Sequence, residues 1–301
     1  MTRSRHVAAL AERGFDPARG LRFPFARLMT TSLVKAALEE DCASNDITSI
    51  ATVVSDRRSR STIVAREVGV IAGIPLVREA FHQRDANVSV RSTIRDGRRV
   101  QAGTPIIFIT GHARGMLSAE RVALNYLQRL SGIASLTARY VDAVAGTGAK
   151  ILDTRKTTPG WRKLEKYAVR AGGGMNHRMD LSAAVLIKDN HLAALGGDIE
   201  LAVQRARKIA PPRTAVEVEC DNLDQVRAAL VAAVDVILLD NMPNTMLREA
   251  VELVDGRAVT EASGGVTLER VRSIAETGVD WISVGALTHS ARAMDLALDF
   301  D

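Results

Sequence analysis

From Asp153 to Arg178 the chain reads DTRKTTPGWRKLEKYAVRAGGGMNHR, which places Arg155, Lys156, His177 and Arg178 around three consecutive glycines. Lys188 closes the aliphatic run VLIK a little further on. Cations brought together in a partly dry site repel one another unless an anion lies among them, so the set implies a ligand with several negative charges. The glycine run predicts a loop able to bring backbone N–H groups close to that ligand.

Two carboxylates end other apolar runs, Glu219 in VEVE and Asp240 in ILLD. Such a pair can act as general acid and base, hold a divalent metal, or orient sugar hydroxyls. No His or Cys ligand set accompanies them, so a hard cation such as Mg²⁺, shared with substrate phosphates, suits them better than zinc. Glu217 lies two residues before Glu219 on the same strand face and can contribute from below. Two glycine turns complete the inventory: Ser263, Gly264 and Gly265 in SGGV, and Val284, Gly285 and Ala286 in SVGAL. Each follows a late strand and precedes a helix, an arrangement suited to phosphate. No G-x-S-x-G nucleophile and no dinucleotide fingerprint with an acidic partner is present.

These residues need elements to position them. After Lys150, short apolar runs (AKILDTRK, AAVLIKDN, AVEVECD, VDVILLDN, AVTEASGG, DWISVGA) alternate with amphipathic stretches such as DIELAVQRARKIA and TMLREAVELV. Strand then helix, repeated, predicts parallel strands with crossover helices. Polar strand ends on aliphatic strands favour an α/β barrel, whose C-terminal rim gathers them. Before residue 131 the texture differs: a helical lead-in, FARLMTTSLVKAALEED, precedes short alternating runs such as NVSVRSTI and TPIIFITG. That predicts an open sheet with helices on it, and the long pattern SAERVALNYLQRLSGIAS predicts a helix leading into the second part. The expected division is 1–131 for an N-terminal α/β sandwich domain and 132–301 for an incomplete, TIM-like parallel α/β barrel.

Composition narrows the class. At 301 residues, 47% hydrophobic and 25% charged, this is an ordinary globular chain. Its formal charge is +5, and the window Lys150 to His191 alone holds nine Lys or Arg against four Asp or Glu, which accounts for all of it. So local an excess fits a small polyanion better than a nucleic-acid backbone, and 4% aromatics is too few for base stacking. No apolar run reaches the ~18 residues of a membrane span. The segment MTRSRHVAALAERGFDPARG is broken by charge, so no signal peptide is expected. Cys42 and Cys220 lack metal-type spacing; a reduced cytoplasm is the expected setting, with both cysteines buried as small apolar residues.

The segments LDTRKTTPGWRKLEKYAVRAGGGMNHR, LIKDNH, VEVE, LLDNM, SGGV and SVGALTHS, with ERVALNYLQRLSGIAS and EDCASNDITS earlier, resemble the quinolinate phosphoribosyltransferase family over nearly the whole chain. The resemblance implies an N-terminal α/β domain beside an incomplete barrel, in a homodimer whose N-terminal region closes the partner's site. It implies NAD biosynthesis, with quinolinate and 5-phosphoribosyl 1-pyrophosphate giving nicotinate mononucleotide, pyrophosphate and carbon dioxide. Carried onto this sequence, Arg121 (across the dimer), Thr154, Arg155, Lys156, His177, Arg178 and Lys188 form the anion-binding set. Glu219 and Asp240 correspond to the holders of Mg²⁺ and the ribose hydroxyls, and the two glycine turns to the 5′-phosphate loops. Lys156, Lys188, Glu219 and Asp240 are the implied catalytic set, with neither nucleic acid nor membrane as a partner. Two other readings remain open at this point: a molybdenum-transport-associated relative of the family, and a noncatalytic barrel that binds a phosphorylated metabolite.

Overall fold

A computed structural model describes residues 21–301; the N-terminal segment read above for a signal peptide lies outside them. The described chain forms two compact units, and neither is continuous in sequence.

One unit comprises residues 21–138, 163–173 and 291–301. Its strands are β1 (Arg58–Ala65), β2 (Gly69–Val70), β3 (Ser89–Ser92), β4 (Arg99–Val100) and β5 (Pro105–His112), with a C-terminal strand, Leu296–Phe300. β1 pairs antiparallel with β5 and with the C-terminal strand, and β3 extends the sheet on the far side of β5; β2 and β4 form a separate ribbon. Alternation sets the register: Ser61, Ile63 and Ala65 of β1 are buried, while the residues between them are half-exposed. Its helices are α1 (Arg27–Glu40), α2 (Ile47–Thr52), α3 (Ile74–Arg84) and α4 (Ala113–Ala143), the last continuing past residue 138 into the other unit's sequence. α4 buries Met116, Ala119, Ala123, Leu127, Leu130 and Ala134, the three-and-four spacing of a single apolar stripe. α5 (Arg162–Ala171) is buried nearly all round. Its Glu165 accepts from Arg129 Nη2 at 2.9 Å, and its Tyr167 hydroxyl donates to Asp96 at 2.5 Å. Cys42 departs from expectation: it is exposed, with φ 49° at the head of a 3₁₀ turn in the link between α1 and α2, where the chain runs over the surface.

The other unit, described over residues 139–162 and 174–290, holds β6 (Lys150–Leu152), β7 (Val185–Ile187), β8 (Val216–Cys220), β9 (Val236–Asp240), β10 (Val259–Ser263) and β11 (Trp281–Ser283). All pair in parallel, in the order β6-β11-β10-β9-β8-β7. β6 and β7 end this order and do not pair with each other, so the barrel is incomplete. The helices α6 (Asp189–Ala193), α7 (Ile199–Ile209), α8 (Leu223–Val231), α9 (Asn244–Val254), α10 (Val271–Ala275) and α11 (Ala286–His289) connect the strands. Asp198 and Asn222 start α7 and α8 by accepting the Leu201 and Gln225 N–H groups at 2.9 and 3.0 Å. Leu152, Ala184, Ala215, Val236, Val259 and Trp281 form an apolar layer inside the sheet. Two or four residues on, with the same side-chain parity, come Glu217, Glu219, Asp240, Glu261, Ser263 and Ser283. The inward face therefore changes from apolar to ionic toward the strands' C-terminal ends.

Candidate active site

A cavity of about 720 Å³ opens at those C-terminal ends. Of the barrel residues singled out in the sequence, all but Glu217 and the glycine run line it: Thr154, Arg155 and Lys156 after β6; His177, Arg178 and Lys188 around β7; Glu219 and Asp240; then Ser263, Gly264, Gly265, Val284, Gly285 and Ala286. Arg121 does not. It is an exposed residue of α4 in the other unit, and its guanidinium approaches Glu120 at 3.6 Å.

The chain after β6 is held by short bonds. The Lys156 N–H donates to Thr154 Oγ1 at 3.1 Å, and Thr288 Oγ1 donates to the Lys156 carbonyl at 2.7 Å. Arg155 Nε is buried and finds no acceptor among the described residues. Beside β6, Met175 exchanges backbone bonds with Ile151 and Asp153, which makes the segment before His177 a strand-like edge. The buried Asp153 carboxylate accepts from the His177 N–H at 3.0 Å and from Asn176 Nδ2 at 2.5 Å, fixing the direction in which His177 and Arg178 leave. Arg178 is nearly buried, and its Nη1 donates to the Ala184 carbonyl at 2.9 Å. Burial works against its charged form, the Glu217 carboxylate favours that form, and Arg155 opposes it again.

The glycine run sits elsewhere than expected. Gly172, Gly173 and Gly174 are not among the cavity's lining residues. A Cβ on Gly172 would lie 2.3 Å from the Ala134 carbonyl oxygen of α4, so this glycine serves the close packing of two helices.

Beneath the arginines lies a group the strand ends did not reveal. His177 Nε2 is 3.2 Å from Glu217 Oε2 and 3.5 Å from Glu261 Oε1, and both acids are fully buried. Ser283 Oγ donates to Glu261. Burial, then the neighbouring Glu217, push the Glu261 carboxyl above its ordinary range, against the opposite pull of His177, Ser283 and Lys188. The three side chains offer ligand atoms within 4.8 Å of one another, a spacing that a metal could bridge. The hydrogen bonding argues against one: the Arg178 N–H donates to His177 Nδ1 at 2.8 Å, so the ring hydrogen is on Nε2, the atom that would have to ligate.

At the rim, Lys188 Nζ contacts Glu219 Oε2, and Asn241 Nδ2 donates to Asp240 at 2.5 Å. Glu219 and Asp240 present the two hard oxygen donors that a divalent cation takes alongside substrate oxygens. Gly264 follows, at φ +87°, and a Cβ there would lie 2.1 Å from Asn241 Oδ1. The helix after this turn begins only at Val271, so backbone reach, rather than a helix end, is what the turn offers a phosphate. Gly264→Ala is accordingly expected to raise the KM for the phosphorylated substrate at least about tenfold, because the left-handed conformation alone costs an L-residue about 1–2 kcal/mol. Steady-state kinetics with a thermal melt check this, and an unchanged KM would remove the turn from the site.

The comparisons with known proteins agree with one another. Residues 46–131 and 133–299 match the family descriptions quinolinate phosphoribosyl transferase, N-terminal domain and C-terminal domain. The nicotinate-nucleotide pyrophosphorylase (carboxylating) of Mycobacterium leprae is 46% identical over 274 residues, covering 88% of this chain and 95% of that protein. Crystal structures of the nicotinate-nucleotide pyrophosphorylases of Ehrlichia chaffeensis and Francisella tularensis superpose with TM-scores of 0.85 and 0.86 at 42% and 38% identity. They cover 90% and 92% of this chain, and 98% of each is covered in return. Among the described residues no helix is long and apolar enough to cross a membrane.

Proposed function

The chain belongs to the quinolinate phosphoribosyltransferase family, converting quinolinate and 5-phosphoribosyl 1-pyrophosphate to nicotinate mononucleotide, pyrophosphate and carbon dioxide, and from that premise we propose how its residues divide the work. Arg155 and Arg178 clamp the pyridine dicarboxylate, since paired guanidinium–carboxylate bonds fix its plane as lysine does not. Supporting this is the buried Arg155 Nε, a charged donor that lacks an acceptor among the described residues. His177 holds the floor between them: its two ring nitrogens face the Arg178 N–H and the buried acids, so it orients rather than adds charge. Ser263 to Gly265 and Val284 to Ala286 take the 5′-phosphate. Glu219 and Asp240 orient the ribose hydroxyls and hold Mg²⁺, which when bound offsets negative charge on the pyrophosphate. Lys156 and Lys188 face the same leaving group, and Lys188 exchanges Glu219 for it.

In this arrangement positive charge develops on the ribose as the bond from C1 to pyrophosphate loosens. The carboxylates face the charge that develops on the ribose and the lysines the charge on the departing group, so both meet partners already in the site. Holding the pyridine nitrogen in line converts an encounter into an oriented step. Once that nitrogen is quaternised, it stabilises the carbanion that remains when the 2-carboxylate leaves as carbon dioxide. We also assign the protein to a homodimer in which Arg121 of one subunit completes the diacid site of the other, and to a reducing cytoplasm.

The test is direct. Purified protein is expected to form nicotinate mononucleotide from quinolinate and phosphoribosyl pyrophosphate only with Mg²⁺, and a chelator should abolish it. Nicotinate, lacking the second carboxylate, should react at under about 1% of the rate, given the cost of leaving a buried arginine unpaired. Comparable turnover of nicotinate would sink the arginine assignment, and full activity in chelator would sink the metal.

A further inference from the structure

Loss of carbon dioxide leaves an electron pair on C2 of the pyridine ring, and a proton must be added there before product can leave. Arg155, Lys156, Arg178 and Lys188 are already assigned to holding the substrates' negative charge. The single N–H of His177 is directed at two carboxylates. Glu219 contacts Lys188, and the Asp240 carboxylate accepts from Asn241.

We propose that Glu261 is the acid that protonates C2, with Glu217 and His177 as the positioning pair that keeps its proton in place. This rests on the reading of the mouth given above and deepens it. The geometry supplies two separate reasons. Glu261 lines the cavity while remaining fully buried, and its Oε2 has no hydrogen-bond partner among the described residues. Two carboxylates, Glu217 and Glu261, face one N–H, that of His177 Nε2; with Nδ1 occupied by the Arg178 N–H, the ring has no second proton to give them. Two buried carboxylates at one donor cannot both stay ionised at low cost, so one carries a proton. Of the two, Glu261 lines the cavity and Glu217 does not, whereas Glu217 acts on Arg178. The groups facing Glu261 from its neighbouring elements are Glu217 on β8, His177 before β7, Lys188 after β7 and Ser283 on β11; burial and Glu217 push its carboxyl up to about 7 against the pull of the others.

The step balances. The bond from C2 to the carboxylate breaks with its electrons left on C2, and carbon dioxide departs. The O–H bond of Glu261 then breaks, C2–H forms, and Glu261 is left as a carboxylate that regains its proton from water. Without a nearby proton, the carbanion recaptures carbon dioxide and the phosphoribosylated diacid accumulates.

Single-turnover mixing of Glu261→Gln with quinolinate, phosphoribosyl pyrophosphate and Mg²⁺, quenched and assayed for pyrophosphate and carbon dioxide, tests this. The ratio of carbon dioxide to pyrophosphate is expected to fall from one to below about one-tenth, within the range general acids contribute, with phosphoribosylated diacid making up the difference. A ratio of one overturns the proposal. If this variant releases no pyrophosphate, the wild-type protein decides: the same ratio should fall as pH rises from about 7 to about 10 and the Glu261 carboxyl loses its proton. A constant ratio then overturns it. Wild-type protein that releases no pyrophosphate at all would sink the underlying reading of the mouth instead, so the two failures are told apart.

Discussion

Lys156→Ala is expected to lower kcat/KM by about three orders of magnitude, or about 4 kcal/mol of transition-state stabilisation, while the protein stays folded. The backbone at this position does not depend on the side chain, because Thr288 and Thr154 hold the Lys156 carbonyl and N–H. The side chain is exposed at the cavity mouth, where truncation changes stability by only about 0.5 kcal/mol. Its Cδ would be 3.3 Å from a Cβ built on Gly285, so the stem runs along the glycine turn that the 5′-phosphate is proposed to occupy. On the proposed assignment its ammonium reaches past that turn to the pyrophosphate, whose charge grows as it departs, so the loss should fall on kcat more than on KM. Lys156→Arg, which keeps the charge on a wider group, should recover part of the rate. Unchanged turnover in the alanine variant, with an unchanged melt, would remove this lysine from the reaction.

A cationic mouth must also survive without substrate. Lys188 lies against Glu219, and Glu217 acts on Arg178 from below, so two of the four lysine and arginine charges already have carboxylate partners. Arg155 and Lys156 are left to meet an incoming anion. On the proposed assignment the diacid competes with Glu217 for Arg178, and Lys188 exchanges Glu219 for the leaving group. Stability and function thus draw on the same acids, which is why carboxylates stand in a pocket built for anions.

Much of this was legible in the chain. Six aliphatic runs with amphipathic stretches between them became the six parallel strands, because period two and period 3.6 are imposed by the backbone itself. Polar residues ending those runs line one cavity because parallel strands all end at one rim. Glu261 was missed: it sits inside VTEAS, one parity step before the Ser263 that marks the strand end, and an isolated acid in a strand gives no sign of its depth. Its signal was the match in parity with VEVE on β8. The glycine run shows only that a backbone approaches something closely, not that the neighbour is a helix. Lys163–Gly173 falls between the AKILDTRK and AAVLIKDN runs, the place of a barrel crossover, yet it packs within the antiparallel unit, and periodicity does not say against which sheet a helix lies. Cys42 was read as buried from residue type, which says less than its place in a surface link.

The cross-subunit role proposed for Arg121 yields the second large effect. Arg121→Ala should be inactive toward quinolinate, and so should Lys156→Ala, but a mixture of the two unfolded and refolded together should regain about one quarter of wild-type activity. The fraction follows from symmetry. Random pairing makes half of the dimers mixed, and each of these has one site carrying both lesions and one carrying neither. If instead Arg121 serves the site of its own chain, every site in every dimer keeps one lesion, and mixing restores nothing. Arg121 is exposed on α4 with only a 3.6 Å approach to Glu120, so its loss leaves the subunit's own packing intact and the variant can still pair. Recovery near one quarter requires both the dimer and the exchange of arginines. Recovery of zero, with mixed dimers demonstrated by a size tag on one variant, removes the exchange while leaving the barrel's own residues untouched.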